Sequence, residues 1–185
     1  MSVAPPSRMT ATEFIEWAST RPERDHFELV AGEVVAMAPE RSGHALTKAR
    51  VWRALDDAVR SAGLPCVAYP DGMAVEIDER TVYEPDALVR CGQPLDDDVL
   101  RILDPIIVVE VLSPSSESRD AGAKLADYAR VPSIRHYLIV DANSRVIVHH
   151  HVEDEAAIHT SIVRSGALTL DPPGIDIPIE AIFIR

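Results

Sequence analysis

The segment PIIVVEVL, residues 105–112, is an apolar run of largely β-branched residues interrupted by one charge, Glu110. A membrane helix needs roughly 20 apolar residues, so this run is too short to span a bilayer. Its pattern is that of a strand covered on both faces, which requires a sheet with other elements packed on either side. The flanking sequence supplies them. Downstream, residues 119–130 read as a helix stopped by Pro132, and RHYLIVDANSRVIVHHHVED reads as strand, turn, strand. Upstream, GHALTKARVWRALDDAVRSA places Leu46, Ala49, Leu55 and Val59 at helical spacing before Gly63 and Pro65 end the pattern.

Shorter signals complete the outline. Thr10 and Glu13 make a capping box for a helix to about Ser19, and FELVAGEVVAM forms a hairpin about Ala31 and Gly32. CVAYP, GMAVEID and VYEPDALVR predict three strands, LDDDVLRIL a short helix, and AAIHTSIV, ALTL and IPIEAIFI short β segments. The order predicts an α/β (α+β) fold, a central mixed β-sheet flanked by helices. Residues 1–9 read as a loose tail and residues 10–185 as a single domain.

The chain has 185 residues and a net charge of -12, which argues against a protein that coats nucleic acid by charge alone. Contact with phosphates then needs a local basic surface or a metal. The most basic stretch, Arg41, Lys48, Arg50, Arg53 and Arg60, could track a phosphate backbone or form a solvated mixed-charge face with Asp56 and Asp57. Cys66 and Cys91 are too few for a secreted disulfide framework, and the N-terminal sequence has no apolar leader. The expected location is the cytoplasm, with no membrane span. No HExxH, P-loop, GxSxG, GxGxxG or CxxC pattern is present.

Asp86 and Glu110 are the main candidates for chemistry, because a carboxylate inside a strand-like apolar segment is costly unless paired or bound to a cation. Two of them on neighbouring strands could converge on magnesium, which takes hard oxygen ligands. Equally, Glu110 could sit in a buried ion pair and Asp86 could cap a turn after Pro85. Lys124 shares a helix face with Asp120 and lies near Tyr128, so it could serve either a metal-bound water or a surface pair with Asp120. His44, at the start of the long helix, could act as acid or base or simply sit at the surface. His149 and His151 share one strand face and His150 the other, a poor basis for a three-histidine metal site.

Taken together, FELVAGEVVAM, GHALTKARVWRAL, YEPDALV and PIIVVEVLSPSSESRDAGAKLADYARVPSIRHYLIVD resemble the Uma2 family of restriction endonucleases, a bacterial branch of the PD-(D/E)XK nuclease superfamily. The resemblance implies a restriction-endonuclease-like core and a Mg2+-dependent endodeoxyribonuclease, with Mn2+ as an alternative ion. Asp86 matches the first acid and Glu110 the second, with the Val111 carbonyl as a further metal ligand. Leu112 occupies the position where the standard motif has lysine, so Lys124 would supply that function. Glu28 or Glu33, Glu28 preferred, and His44 match further recurrent positions. DNA is the implied partner, and a homodimer is expected. The alternative is a catalytically idle nuclease fold that binds or regulates and oligomerises.

Overall fold

Thr10 caps the first helix as its spacing to Glu13 predicts: its Oγ1 accepts from the Glu13 N–H at 3.3 Å, and its own N–H donates to Glu13 Oε2 at 2.8 Å. In the computed structural model, which describes residues 8–22, 25–112, 118–154 and 157–183, this helix is α1, Ala11–Ser19. Met9 is buried just ahead of it, and its N–H donates to the Gly32 carbonyl at 2.8 Å. The hairpin β1 (Phe27–Val30) and β2 (Glu33–Ala36) turns at Ala31 and Gly32, with φ of 50° and 86°. Two successive positive φ values suit the twist of a tight hairpin, and glycine at the second lowers the strain.

Helix α2, Ser42–Ala62, is closed by Gly63 at a φ of 62°. The Gly63 and Leu64 N–H groups satisfy the last carbonyls through Arg60 and Val59. Strands β3 (Cys66–Pro70), β4 (Ala74–Asp78), β5 (Thr81–Tyr83) and β6 (Ala87–Cys91) follow. Here four strands replace the three expected, because VYEPDALV divides at Glu84, Pro85 and Asp86 as the chain passes from one sheet to another. The short helix expected over LDDDVLRIL is absent. A turn at Asp96 leads instead into β7, Arg101–Ile102. Three consecutive aspartates are poor helix formers, and burial of Ile102 against the core fixes the extended form.

Strand β8 (Pro105–Val111) precedes α3 (Ser118–Tyr128), and β9 (His136–Asp141), β10 (Val146–Asp154), β11 (Ala157–Val163), β12 (Ala167–Leu170) and β13 (Ile175–Pro178) lead to α4, Ile179–Ile182. The last expected β segment stops at Pro178, since Ile179 and Ile182, three residues apart, are both buried on a final helical turn.

The larger sheet has the order β11-β10-β9-β8-β6-β3, parallel between β8 and β9 and antiparallel elsewhere. A second sheet, β2-β1-β5-β4-β7, and the β12-β13 hairpin were not separated in the sequence pattern. Alternate residues of β8 enter two cores. Ile107, Val109 and Val111 pack with Val51, Leu55 and Val59 of α2, whereas Val108 packs with Tyr83, Tyr128 and Tyr137. This is the mixed sheet flanked by helices that the apolar run implied. Among the described residues no helix is long and apolar enough to cross a membrane.

The register places Cys66 opposite Cys91, and the two are joined by a disulfide, a pairing that their 25-residue separation concealed. On the sheet face under the β12-β13 hairpin, His136 and His149 are buried. His136 Nε2–H donates to the Pro172 carbonyl at 2.8 Å, so its Nδ1 accepts from His149 Nε2–H, also at 2.8 Å. Burial, followed by the neighbouring imidazoles, holds both groups down at about 4. The unfolded chain takes up these protons near pH 6.5, and the folded chain does not until about pH 4. Stability is therefore expected to be full above about pH 6.5 and to fall progressively towards about pH 4. Urea midpoints across that range check this, and His136→Gln with His149→Gln should flatten the dependence.

Candidate active site at the end of the six-stranded sheet

The antiparallel register that pairs Ala87 with Val109 sets Asp86 across from Glu110. Asp86 is 5% exposed, at the point where the chain enters β6, and its Oδ2 accepts from the Val111 N–H at 2.6 Å. Glu110 is held on the α3 side: Lys124 Nζ donates to its Oε1 at 2.9 Å and Tyr128 Oη at 3.0 Å. Lys124, 6% exposed, also donates to Glu28 Oε1 at 2.8 Å and lies 4.9 Å from the centre of the Tyr83 ring. The motif position taken by Leu112 is thus replaced in space by an ammonium from the following helix. Leu112 itself packs in the tyrosine-lined core, with its N–H on the Val140 carbonyl.

Glu28 faces this centre and is 7% exposed, while Glu33, on the other strand of the hairpin, is exposed to solvent. Its Oε1 also accepts from the Glu84 N–H at 3.2 Å. His44 reaches the site from α2, and its Nε2–H donates to the Val111 carbonyl at 2.8 Å while lying 3.9 Å from Asp86 Oδ2. All five side chains singled out from the sequence, Asp86, Glu110, Lys124, Glu28 and His44, come together with Val111. The Asp120 side chain expected beside Lys124 lies outside what is described.

Sequence reasoning missed the role of Lys48. It is 7% exposed rather than part of a basic face, and its Nζ is 3.1 Å from Asp86 Oδ1 and bonded to Asp71 and Glu40. A signal existed, because Lys48 lies four residues after His44 and so shares its helix face. Asp71 and Glu84 gave no such signal, since they come from loops joined only by the fold.

The electrostatics follow from burial against pairing. Burial raises the Asp86 carboxyl above its usual range despite Lys48, the Val111 N–H and His44. Burial pushes Glu110 up to about 7, with Lys124 opposing and the charges of Asp86 and Glu28 adding to the rise. Burial alone would lower both lysines, but the carboxylates outweigh it and hold each above its ordinary value. The pair of carboxylates remains short of positive charge, and its donors are all oxygen, including the Val111 carbonyl. That donor set fits a hard divalent cation such as Mg2+ or Mn2+.

The Uma2 family, described as "Putative restriction endonuclease", matches residues 11–179. The chain belongs to the Uma2 family. A relative in Synechocystis sp., the uncharacterized protein slr1290, is 26% identical over 97% of this chain and 94% of its own. A second from the same organism, the uncharacterized protein sll1609, is 24% identical over 90% and 94%. A crystal structure from Anabaena variabilis, described as "a putative nuclease belonging to DUF820", matches with a TM-score of 0.75 at 12% identity, covering 95% of this chain and 97% of that one. At that identity the likeness speaks for the fold, and it shows that this Uma2 chain has the architecture of that nuclease-described structure.

Lys124 is the only cation that touches both Glu28 and Glu110 among the described residues. Lys124→Met is expected to leave two buried carboxylates uncompensated and to cost about 3 to 5 kcal/mol. Adding Glu28→Gln and Glu110→Gln should restore part of that loss, as read by chemical denaturation without divalent ions.

Proposed function

We propose that this Uma2 protein is a metal-dependent endonuclease that hydrolyses phosphodiester bonds of DNA. The observation that carries the reading is the placement of Asp86 and Glu110 across from each other at the ends of β6 and β8, with Lys124 delivered to Glu110 from α3. The family match supports a nuclease, and the site contains the two acids and one lysine that such chemistry uses. Asp86, Glu110 and the Val111 carbonyl would hold Mg2+ or Mn2+, which when bound supplies charge to a phosphate oxygen and acidifies a water.

The chain's own groups have distinct tasks. Lys124, tied to Glu28 and Glu110, presents a fixed ammonium that can orient the attacking water and offset negative charge as it grows on the phosphate. Tyr128, by donating to the same Glu110 oxygen, restricts that carboxylate to one orientation. The contact of His44 with the Val111 carbonyl helps to position the residue whose N–H donates to Asp86. The net charge of -12 leaves little general attraction for a polyanion, so binding would depend on this centre and on a basic groove completed by a second copy. A cytoplasmic homodimer is part of the same proposal.

Purified protein with Mg2+ or Mn2+ is expected to nick supercoiled plasmid, and EDTA should stop it. Asp86→Asn, Glu110→Gln and Lys124→Ala should each lower the rate by about a hundredfold or more. No cleavage of plasmid or single-stranded DNA by the wild type, with no metal binding that depends on Asp86 and Glu110, would replace the enzyme with a binding module on the same fold.

A further inference from the structure

Beside the Asp86–Glu110 centre, His26, Asp71 and Glu84 each offer one ligand atom, and these three atoms lie within 4.8 Å of one another. They come from three separate places: the segment before β1, the loop after β3 and the link between β5 and β6. His26 Nδ1 is 2.9 Å from Glu84 Oε1. Their side chains are 39%, 29% and 14% exposed for His26, Asp71 and Glu84, so the group is partly sheltered and still reachable. His26 and Asp71 line a cleft of about 520 Å³ whose other walls include Phe27, Met37 and Pro39, which gives an ion a path in.

We propose that His26, Asp71 and Glu84 form a second divalent-cation site, selective for a transition ion such as Mn2+ or Zn2+ over Mg2+. The imidazole sets the selectivity, because Mg2+ strongly favours oxygen whereas Mn2+ and Zn2+ also accept nitrogen. The spacing is close to that of a metal-bound set: ligands about 2.0–2.2 Å from an ion lie roughly 3.5 Å apart, so modest side-chain movements would close the site. Three protein ligands would leave room for a water or a substrate oxygen.

A separate observation calls for added positive charge at this place. Lys48 is shared by Glu40, Asp71 and Asp86, and Lys124 by Glu28 and Glu110, so that with Glu84, whose N–H donates to Glu28, six carboxylates gather about two ammoniums. A single ion at the Asp86–Glu110 centre leaves Asp71 to share Lys48 with Glu40, and Glu84 to face the His26 imidazole. Lys48 touches both Asp71 and Asp86, so it joins the two cation sites directly. The site does not depend on the nuclease reading, since its binding can be measured without DNA.

The test is titration calorimetry of the full-length protein with MnCl2 and ZnCl2, together with electron spin-echo spectroscopy of bound Mn2+ for nitrogen coupling. Asp86→Asn with Glu110→Gln removes the first centre, and one equivalent of Mn2+ or Zn2+ with a nitrogen signal should remain. In that background His26→Ala should remove the nitrogen signal, and His26→Ala and Glu84→Gln should each weaken binding by about tenfold or more. His151→Gln controls for the histidines of β10 and should change nothing. Circular dichroism establishes that each variant is folded. Loss of all binding in the Asp86→Asn, Glu110→Gln protein, a nitrogen signal that survives His26→Ala, or one that vanishes with His151→Gln would overturn the proposal.

Discussion

Two carboxylates buried across from each other on neighbouring strands repel, and much of this molecule is arranged around that repulsion. Asp86 and Glu110 are each met by a lysine from opposite layers, Lys48 arriving on α2 and Lys124 on α3. Neither lysine can leave without exposing its partner as a bare charge in the core. The helices are thereby fixed in rotation as well as in position, because each must keep its apolar stripe on the sheet and its lysine at the strand ends. The same arrangement leaves Glu110 at about 7, poised between charged and neutral, a condition that suits a group waiting for a cation.

The apolar run through Glu110 made the double-sided strand legible, and the helical spacing around Leu55 made α2 legible. Both signals are periodic and local, which is what a sequence conveys well. The split at Glu84, Pro85 and Asp86 was illegible because both halves are equally apolar and their separation into two sheets is decided by packing. The aspartate-rich stretch before Arg101 followed the same rule, since burial of Ile102 overrode the apparent helical spacing. For the site, the pattern and the family resemblance led to Asp86, Glu110, Lys124, Glu28 and His44, and Glu28, preferred to Glu33 in the sequence, is the one of the two that the hairpin buries. Lys48 was hidden by its charge, which reads as surface unless the carboxylates it meets are already known.

The histidines show the opposite case, in which a conspicuous sequence feature has a structural explanation. His149 and His151 do share a face, as the alternation requires, and His136 on β9 joins them. On the other face His150 stacks on Tyr137 and bonds to Thr160. The tract is thus divided between two environments, and its cost is a sheet whose burial depends on neutral imidazoles.

Helix α2 carries both His44 and Lys48 in its first two turns, and its later turns are anchored by Val51, Leu55 and Val59. At 21 residues it is about 30 Å long. It therefore joins the hydrophobic core to the strand ends, with His44 on the Val111 carbonyl and Lys48 on Asp86. The geometry of the site thus rests on side chains as distant as Val59, whose packing sets where the first two turns of the helix fall.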